Sequence, residues 1–312
     1  MTSSPALQIG LVGTGVIGAS WAALFLARGH HVRAFDPAPQ SSEMTRAYID
    51  RAWAQLEALD AVVAGASSGN ISFVASPEEA VEGAAFIQES VPERLPLKLE
   101  TFQLIEPCLS ADAIVATSAS GLLIKDMQDG WKDPSRFLLG HPFNPPHLIP
   151  LVELLGNENT DPAAIDKAAA FYASCGKVTI RVMKEVPAHV ANRLQAALWR
   201  EAIHLVAEGV ASVEDVDKAV TAGPGLRWSV MGPHMLFGLG SGGGGIEEFC
   251  NRYSDSFHRW WDSLGTPHLD ADVITRLAEG LREEEAGRSF EELSALRDKR
   301  LIAALRAFAE TG

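Results

Sequence analysis

Residues 9–36 read IGLVGTGVIGASWAALFLARGHHVRAFD. An apolar, strand-like run over 7–12 leads into Gly13, Gly15 and Gly18. A helical pattern follows, and a second strand-like run over 32–35 ends on Asp36. In such a βαβ unit Gly13 serves the tight turn, Gly15 lets a pyrophosphate approach the backbone, and Gly18 lets helix and strand pack closely. The anion would rest on the helix N-terminus at Val16 and Ile17, where N–H groups without intrahelical partners and the helix dipole favour negative charge. A glycine triplet alone also fits an ordinary glycine-rich βα turn. Strand, helix, second strand and terminal acid in the right order make the signal specific.

Asp36 selects the nucleotide. A carboxylate at the end of the second strand accepts hydrogen bonds from adenosine ribose hydroxyls and repels a 2′-phosphate. Pro37, Ala38 and Pro39 follow it, with no arginine. The expected cofactor is therefore NAD.

Beyond Asp36 the alternation continues. Short apolar runs at 71–75, 85–89, 113–117 and 137–141 suit buried parallel strands, with helical patterns between them, the clearest over 97–105. Runs at 151–155 and 178–183 flank a helical pattern over 162–175. From about residue 186 no strand pattern remains. Leu194, Ala197, Leu198, Ala202, Leu205 and Val206 mark one face of a long amphipathic helix, and helical patterns continue over 213–220, 247–264, 270–285 and 290–308. The expected fold is α/β: a Rossmann-type, doubly wound, mostly parallel sheet over 1–186, then an all-helical domain over 187–312 for substrate binding and dimerisation. The stretch GLGSGGGG over 238–245 reads as a flexible connector, with a mobile flap as the other possibility.

Composition sets outer limits. The 312 residues suffice for one large or two moderate domains, and 47% apolar with 21% charged residues suits a folded globular chain. A net charge of −14 argues against nucleic acid and anionic membrane surfaces. The three cysteines are far apart in sequence, without a CxxC pair, so neither a zinc site nor a disulfide framework is expected. Glycines and charges interrupt every apolar run, which leaves no signal-peptide core and no membrane span. A cytoplasmic location is expected.

Oxidising an alcohol with NAD needs a base, a group that orients it, and donors to the substrate oxygen, all near the C-terminal ends of the strands. Among nine histidines, His141 is singled out. It closes a strand-like run, and Pro142-Phe143-Asn144-Pro145-Pro146 follows as a rigid turn. Glu153 lies in the next strand-like run, where a returning segment can bring its carboxylate to the imidazole and set the tautomer. A buried structural histidine is the alternative. His30 and His31 fall before the second strand and are expected to be exposed. His189, His204, His234, His258 and His268 are expected to have ordinary core or surface roles. Ser118 and Ser120 end another strand-like run, where their hydroxyls can bond nicotinamide and substrate oxygen or simply serve a turn. Asn192 opens the first helix of the second domain, either as a substrate donor or as its N-cap.

Taken together, Gly13-x-Gly15-x-x-Gly18, Ser120, His141-Pro-Phe-Asn-Pro, Glu153 and Asn192-Arg193-Leu194 resemble the 3-hydroxyacyl-CoA dehydrogenase family along nearly the whole chain. The resemblance implies that Ser120, His141, Glu153 and Asn192 are catalytic: His141 as base, Glu153 orienting it, Ser120 and Asn192 holding the substrate oxygen. Glu93 and Lys98 match a Glu and a Lys that the family places near nicotinamide and substrate. It also implies a homodimer formed through the helical domain. Ser118-Ala119 replaces the family's usual Asn-Thr, a departure on the nicotinamide side.

The substrate side departs further. CoA carries several phosphate charges, yet residues 41–75 contain no lysine, two arginines and four acids. HPFNPPHLIPLVE and GLRWSVMGP resemble the branch that contains L-carnitine dehydrogenase and L-gulonate 3-dehydrogenase (lambda-crystallin). Arg227 can pair with a substrate carboxylate, or form a surface ion pair. Trp228, Trp199 and Phe143 can form an aromatic cage for a quaternary ammonium, or simply pack. The expected reaction is oxidation of the 3-hydroxyl of a small L-3-hydroxy acid, L-carnitine first. L-gulonate, a 3-hydroxyacyl-CoA and a non-enzymatic crystallin-like role are the alternatives. The 6-phosphogluconate-like class needs a lysine four residues before the asparagine; residue 188 is alanine, which excludes it.

Overall fold

The quoted stretch folds as β1 (Gln8–Val12), α1 (Val16–Ala27) and β2 (His31–Phe35) in the computed structural model, which describes residues 5–311. Helix α1 is apolar on every side because it is enclosed: all its residues from Gly18 to Ala27 are buried. The chain continues through α2 (Ser41–Ala58), β3 (Ile71–Phe73), α3 (Pro77–Val81), β4 (Phe86–Glu89), α4 (Leu95–Ile105), β5 (Ile114–Thr117), α5 (Ile124–Gln128), β6 (Phe137–Pro142), β7 (Leu151–Leu155), α6 (Pro162–Ser174) and β8 (Val178–Arg181). One eight-stranded sheet results, in the order β3-β2-β1-β4-β5-β6-β7-β8. Strands β1 to β6 pair in parallel, β7 is antiparallel to β6, and β8 is parallel to β7.

The one reversal has a simple cause. Residues 143–150 join β6 to β7, fewer than the dozen or so that a parallel crossover requires. The strand order turns around between β1 and β4, so the crevice at their C-terminal ends is where a dinucleotide binds in such folds. Both faces of the sheet are covered. Ile9, Leu11 and Phe86 pack with Trp21, Phe25 and Tyr172 on one face, while Val12, Ile87 and Val115 pack with Phe102 and Phe137 on the other. That double burial is why the strands read as unbroken apolar runs rather than alternating ones.

The doubly wound, mostly parallel sheet and the helical half match the sequence reading. One histidine does not. His30 is 3% exposed, accepts the Leu7 N–H at Nδ1 (3.2 Å), and has its ring against Phe171. The expectation that it is exposed is wrong, because the turn before β2 folds under the end of α6. His31 is exposed as expected.

The described chain divides into two compact units, the first ending at Ala191 and the second beginning at Asn192. The second carries α7 (Ala191–Ala207), α8 (Val213–Ala222), α9 (Pro224–Val230), α10 (Pro233–Leu239), α11 (Gly245–Ser263), α12 (Ala271–Glu285) and α13 (Phe290–Thr311). Helices α9 and α10 were not legible in the sequence: each is a single proline-started piece too short to show a period. Phe237, Phe249 and Phe257 pack as a cluster of tilted and edge-on rings between α10 and α11. The glycine-rich connector shrinks to residues 240–244, since Gly238 ends in α10 and Gly245 starts α11.

Candidate active site

Strand register builds the site. In the antiparallel β6–β7 pair, His141 lies directly opposite Glu153, so both side chains leave the same face of the sheet. Nδ1 of His141 and Oε2 of Glu153 are 2.8 Å apart, with Glu153 fully buried and His141 5% exposed. The other carboxylate oxygen, Oε1, accepts the N–H groups of Val190 (3.0 Å) and Ala191 (2.9 Å). Burial pushes Glu153 upward, but the His141 hydrogen bond and the two backbone donors outweigh it, and the carboxyl titrates below its ordinary value. An ionised Glu153 holds the proton of His141 on Nδ1. Nε2 is then an unprotonated acceptor, and no described residue bonds to it.

The loops after β4 and β5 supply the neighbouring polar groups. Glu93 accepts the N–H groups of Ser120 (3.0 Å), Gly121 (2.6 Å) and Leu122 (3.0 Å), and the Ser120 hydroxyl donates to it at 3.2 Å. Its burial on one side raises the Glu93 pKa, the three backbone donors and the Lys98 charge lower it, and the net direction is down. The hydroxyl of Ser118 is already engaged below this level, bonded by Trp21 Nε1 (3.3 Å), Gln88 Nε2 (2.9 Å) and Ser90 Oγ (2.9 Å). Lys98 is 1% exposed and its ammonium is occupied by Glu89, at 2.7 and 2.9 Å, and by the Val91 carbonyl. Glu89 in turn accepts Thr117 Oγ1 (2.5 Å) and the Val91 N–H (2.6 Å). This buried pair ties the ends of β4, β5 and α4 together, and truncating one partner would strand the other's charge.

At the opening βαβ unit the residues fit NAD. Gly13 is left-handed (φ 91°), and a side chain there would meet Ser90 backbone atoms at 2.6 Å. A side chain at Gly18 would overlap the Gly13 carbonyl oxygen. Gly15 is different: a Cβ built there meets nothing within 4 Å, and its φ is an ordinary −57°. Among the described residues nothing crowds a side chain at 15, so the space before the helix N-terminus is open to a group lying against it. No side chain caps that terminus, and Val16 is 60% exposed there. Asp36 accepts the Thr14 N–H (2.7 Å) and the Ala38 N–H (2.9 Å) while staying half-exposed. Its free lone pairs remain for ribose hydroxyls.

Phe143 stands edge-on to His141 at 5.3 Å. Asn192, Arg227 and Trp228 belong to the second unit. Asn192 is half-buried and lies one residue inside α7, so it is not that helix's cap; Arg227 and Trp228 are exposed on α9. Two histidines stand out in the structure that the sequence reading did not single out. His189, expected to be ordinary, is 2% exposed with its ring 5.4 Å from that of His141. His147 is buried and bonded to Ser20 Oγ (2.7 Å) and Gln55 Oε1 (2.6 Å), which pins the segment after β6 to α1 and α2. No local sequence signal marks either residue, because both roles come from segments far away in the chain.

Comparison with known proteins agrees with this geometry. The profile described as 3-hydroxyacyl-CoA dehydrogenase, NAD binding domain, matches residues 8–186, and that of the family's C-terminal domain matches residues 189–280. L-carnitine dehydrogenase of Streptomyces griseus is 46% identical over 96% of this chain and 89% of its own length. L-carnitine dehydrogenase of Pseudomonas putida is 42% identical over 95% and 92%. The crystal structure of a 5-formyl-3-hydroxy-2-methylpyridine 4-carboxylic acid 5-dehydrogenase, described as an NAD+-dependent dismutase, superposes with a TM-score of 0.82 at 28% identity, covering 97% of this chain and 98% of the other. With both domain profiles matched in order behind a dinucleotide cradle and a carboxylate-bound imidazole, the chain belongs to the 3-hydroxyacyl-CoA dehydrogenase family and is an NAD-dependent oxidoreductase.

Proposed function

We propose that this protein oxidises the 3-hydroxyl of L-carnitine to the 3-keto acid, with His141 as general base. The observation that carries the reading is the 2.8 Å His141–Glu153 bond, which leaves Nε2 free to take a proton. The names of the relatives supply the substrate. The Gly13–Gly18 turn and Asp36 would hold NAD, which would supply the hydride acceptor. The hydroxyl proton passes to His141 Nε2, and the buried Glu153 carboxylate stabilises the imidazolium that forms. Ser120 holds the substrate oxygen, and must turn its hydroxyl from Glu93 to do so.

The rest of the substrate is a carboxylate and a quaternary ammonium. Within the helical unit, Arg227 has the bidentate donors that suit the first, and Trp228 and Trp199 have aromatic faces of the kind that suit the second; in the NAD-binding unit Phe143 has such a face beside His141. We read the protein as cytoplasmic and as a homodimer joined through its helical unit. What supports the dimer is the set of large apolar side chains left exposed there, Leu194, Trp199, Trp260 and Trp261 among them. Among the described residues no helix is long and apolar enough to cross a membrane.

The test is an initial-rate panel of L-carnitine, L-gulonate, L-3-hydroxybutyrate and its CoA thioester, each with NAD and with NADP. L-carnitine with NAD should give the highest kcat/KM. A higher value for the thioester would overturn the substrate assignment.

A further inference from the structure

The turn over 187–190 presses a second imidazole against the first. The rings of His189 and His141 have centroids 5.4 Å apart and planes tilted by 52°. His189 is 2% exposed, yet neither ring nitrogen has a hydrogen-bond partner among the described residues. The backbone is left-handed at both Ala188 (φ 64°) and His189 (φ 51°), a conformation that residues with a β-carbon seldom adopt. Such a turn persists only where its surroundings hold it. Here the His189 N–H reaches the Val186 carbonyl at 3.2 Å, and the next two N–H groups are those that clamp Glu153 Oε1. One turn therefore fixes the carboxylate that orients His141 and sets His189 beside it.

Packing alone does not explain a histidine at 189. A phenylalanine fills the same space without burying two unpaired nitrogens, and an unpaired buried polar group destabilises the fold. A group that binds next to His141 can supply the missing partner. We infer that His189 is a substrate-binding residue whose ring N–H donates to the carboxylate of the 3-hydroxy acid while His141 takes the hydroxyl. The inference rests on the reaction proposed above. In a 3-hydroxy acid the two oxygen functions sit on carbons flanking a single methylene, so they can turn toward two adjacent rings. Burial and the nearby His141 lower the His189 pKa, against the pull of Glu153 and Glu93. A neutral His189 offers one N–H and does not compete for the hydroxyl proton.

The test compares wild type, His189→Phe and His189→Asn on L-carnitine and on (2-hydroxypropyl)trimethylammonium, which keeps the alcohol and the ammonium but lacks the carboxylate. His189→Phe should raise the KM for L-carnitine about ten- to a hundredfold, the scale of a lost hydrogen bond to a charged group, with kcat changed far less. The Kd of L-carnitine for the NADH-loaded enzyme should rise in parallel. KM, or the inhibition constant, for the carboxylate-free alcohol should stay unchanged, and His189→Asn should recover part of the loss. NADH binding, followed by its fluorescence, checks that each variant is folded, and His189→Leu replaces His189→Phe if the latter fails that check. Unchanged constants for L-carnitine, or equal losses on both compounds, would overturn the inference. Oxidation by wild type of another 3-hydroxy acid instead of L-carnitine removes only the substrate assignment, and the comparison is then made with that acid. If wild type oxidises no 3-hydroxy acid, both readings fail.

Discussion

A single cross-strand register carries the chemistry, and it makes two residue-scale predictions. His141→Gln removes the Nε2 acceptor that the Glu153 bond leaves free, so kcat should drop by about a hundredfold or more while NAD affinity stays close to wild type. Stopped-flow or steady-state rates at saturating substrate check it, and retained activity would move the base elsewhere. Glu153→Gln is the sharper case. Oε1 of residue 153 accepts two backbone N–H groups, so the amide oxygen of a glutamine is held there and its NH2 is turned toward His141 Nδ1. Nδ1 must then accept, the ring proton moves to Nε2, and the base is blocked in the wrong tautomer. Glu153→Gln should therefore be no more active than Glu153→Ala despite its near-identical shape. A glutamine variant clearly faster than the alanine variant would contradict the tautomer argument. His141 and Glu153 were legible in the sequence because a strand, a proline-rich turn and a returning strand keep their partners close along the chain. His189 and His147 were not, since one depends on a left-handed turn and the other on residues of α1 and α2.

The elements position these groups through two devices that stability measurements can separate. Gly18 is required by the fold and Gly15 is not, although both belong to one motif. Gly18→Ala places a methyl group on the Gly13 carbonyl oxygen and should destabilise by about 1–3 kcal/mol, the scale of an overpacked site. Gly15→Val should leave the melting temperature nearly unchanged and weaken NAD binding by tenfold or more, because its side chain fills the space before α1. Equal melting temperatures for the two variants would show that the motif has been divided wrongly. The second device is Lys177, at the entry to β8. It is 7% exposed, its ammonium bonds the carbonyls of Pro146 and Ile149 and lies 4.9 Å from the Trp21 ring centre, and burial lowers its pKa to about 7. It anchors the segment that follows His141. The unfolded chain keeps the lysine proton up to about pH 10.4, whereas the folded chain gives it up near 7. Between those values the unfolded state binds more protons, so stability rises with pH; below about 7 both states are protonated and the burial penalty is constant. The stability of wild type relative to Lys177→Met, from urea midpoints, should climb by a few kcal/mol between pH 7 and 10. A flat difference would mean the ammonium stays charged in the folded chain. None of this was legible in the sequence, where Lys177 is one lysine between a glycine and a strand; the strands and α1 were legible because burial on both sides of a parallel sheet leaves nothing polar to interrupt them.

At the scale of the whole molecule the helical unit poses a question of stability. Among its described residues Ile203 and Val216 are the buried apolar side chains, while Leu194 (63%), Trp199 (56%), Trp260 (57%), Trp261 (59%) and Phe290 (78%) are exposed. Helices of this kind draw most of their stability from burying an apolar face, and here those faces lie open on a chain of net charge −14 that is otherwise well suited to solution. A second copy of the chain is the simplest cover, because a two-fold axis lets one apolar patch close over its own image. The protein should then sediment at twice 33.4 kDa at micromolar concentration, with a melting temperature that rises with concentration. Replacing Trp260 and Trp261 together by glutamate, or Leu194 and Trp199 together, places charges on these faces, and at least one pair should yield a monomer of lower melting temperature. The NAD-binding unit has its own two-sided core, so NADH binding should survive in that monomer. A wild-type chain that sediments as a monomer, with a concentration-independent melting point, would leave the open faces unexplained by self-association and remove the dimer from the account.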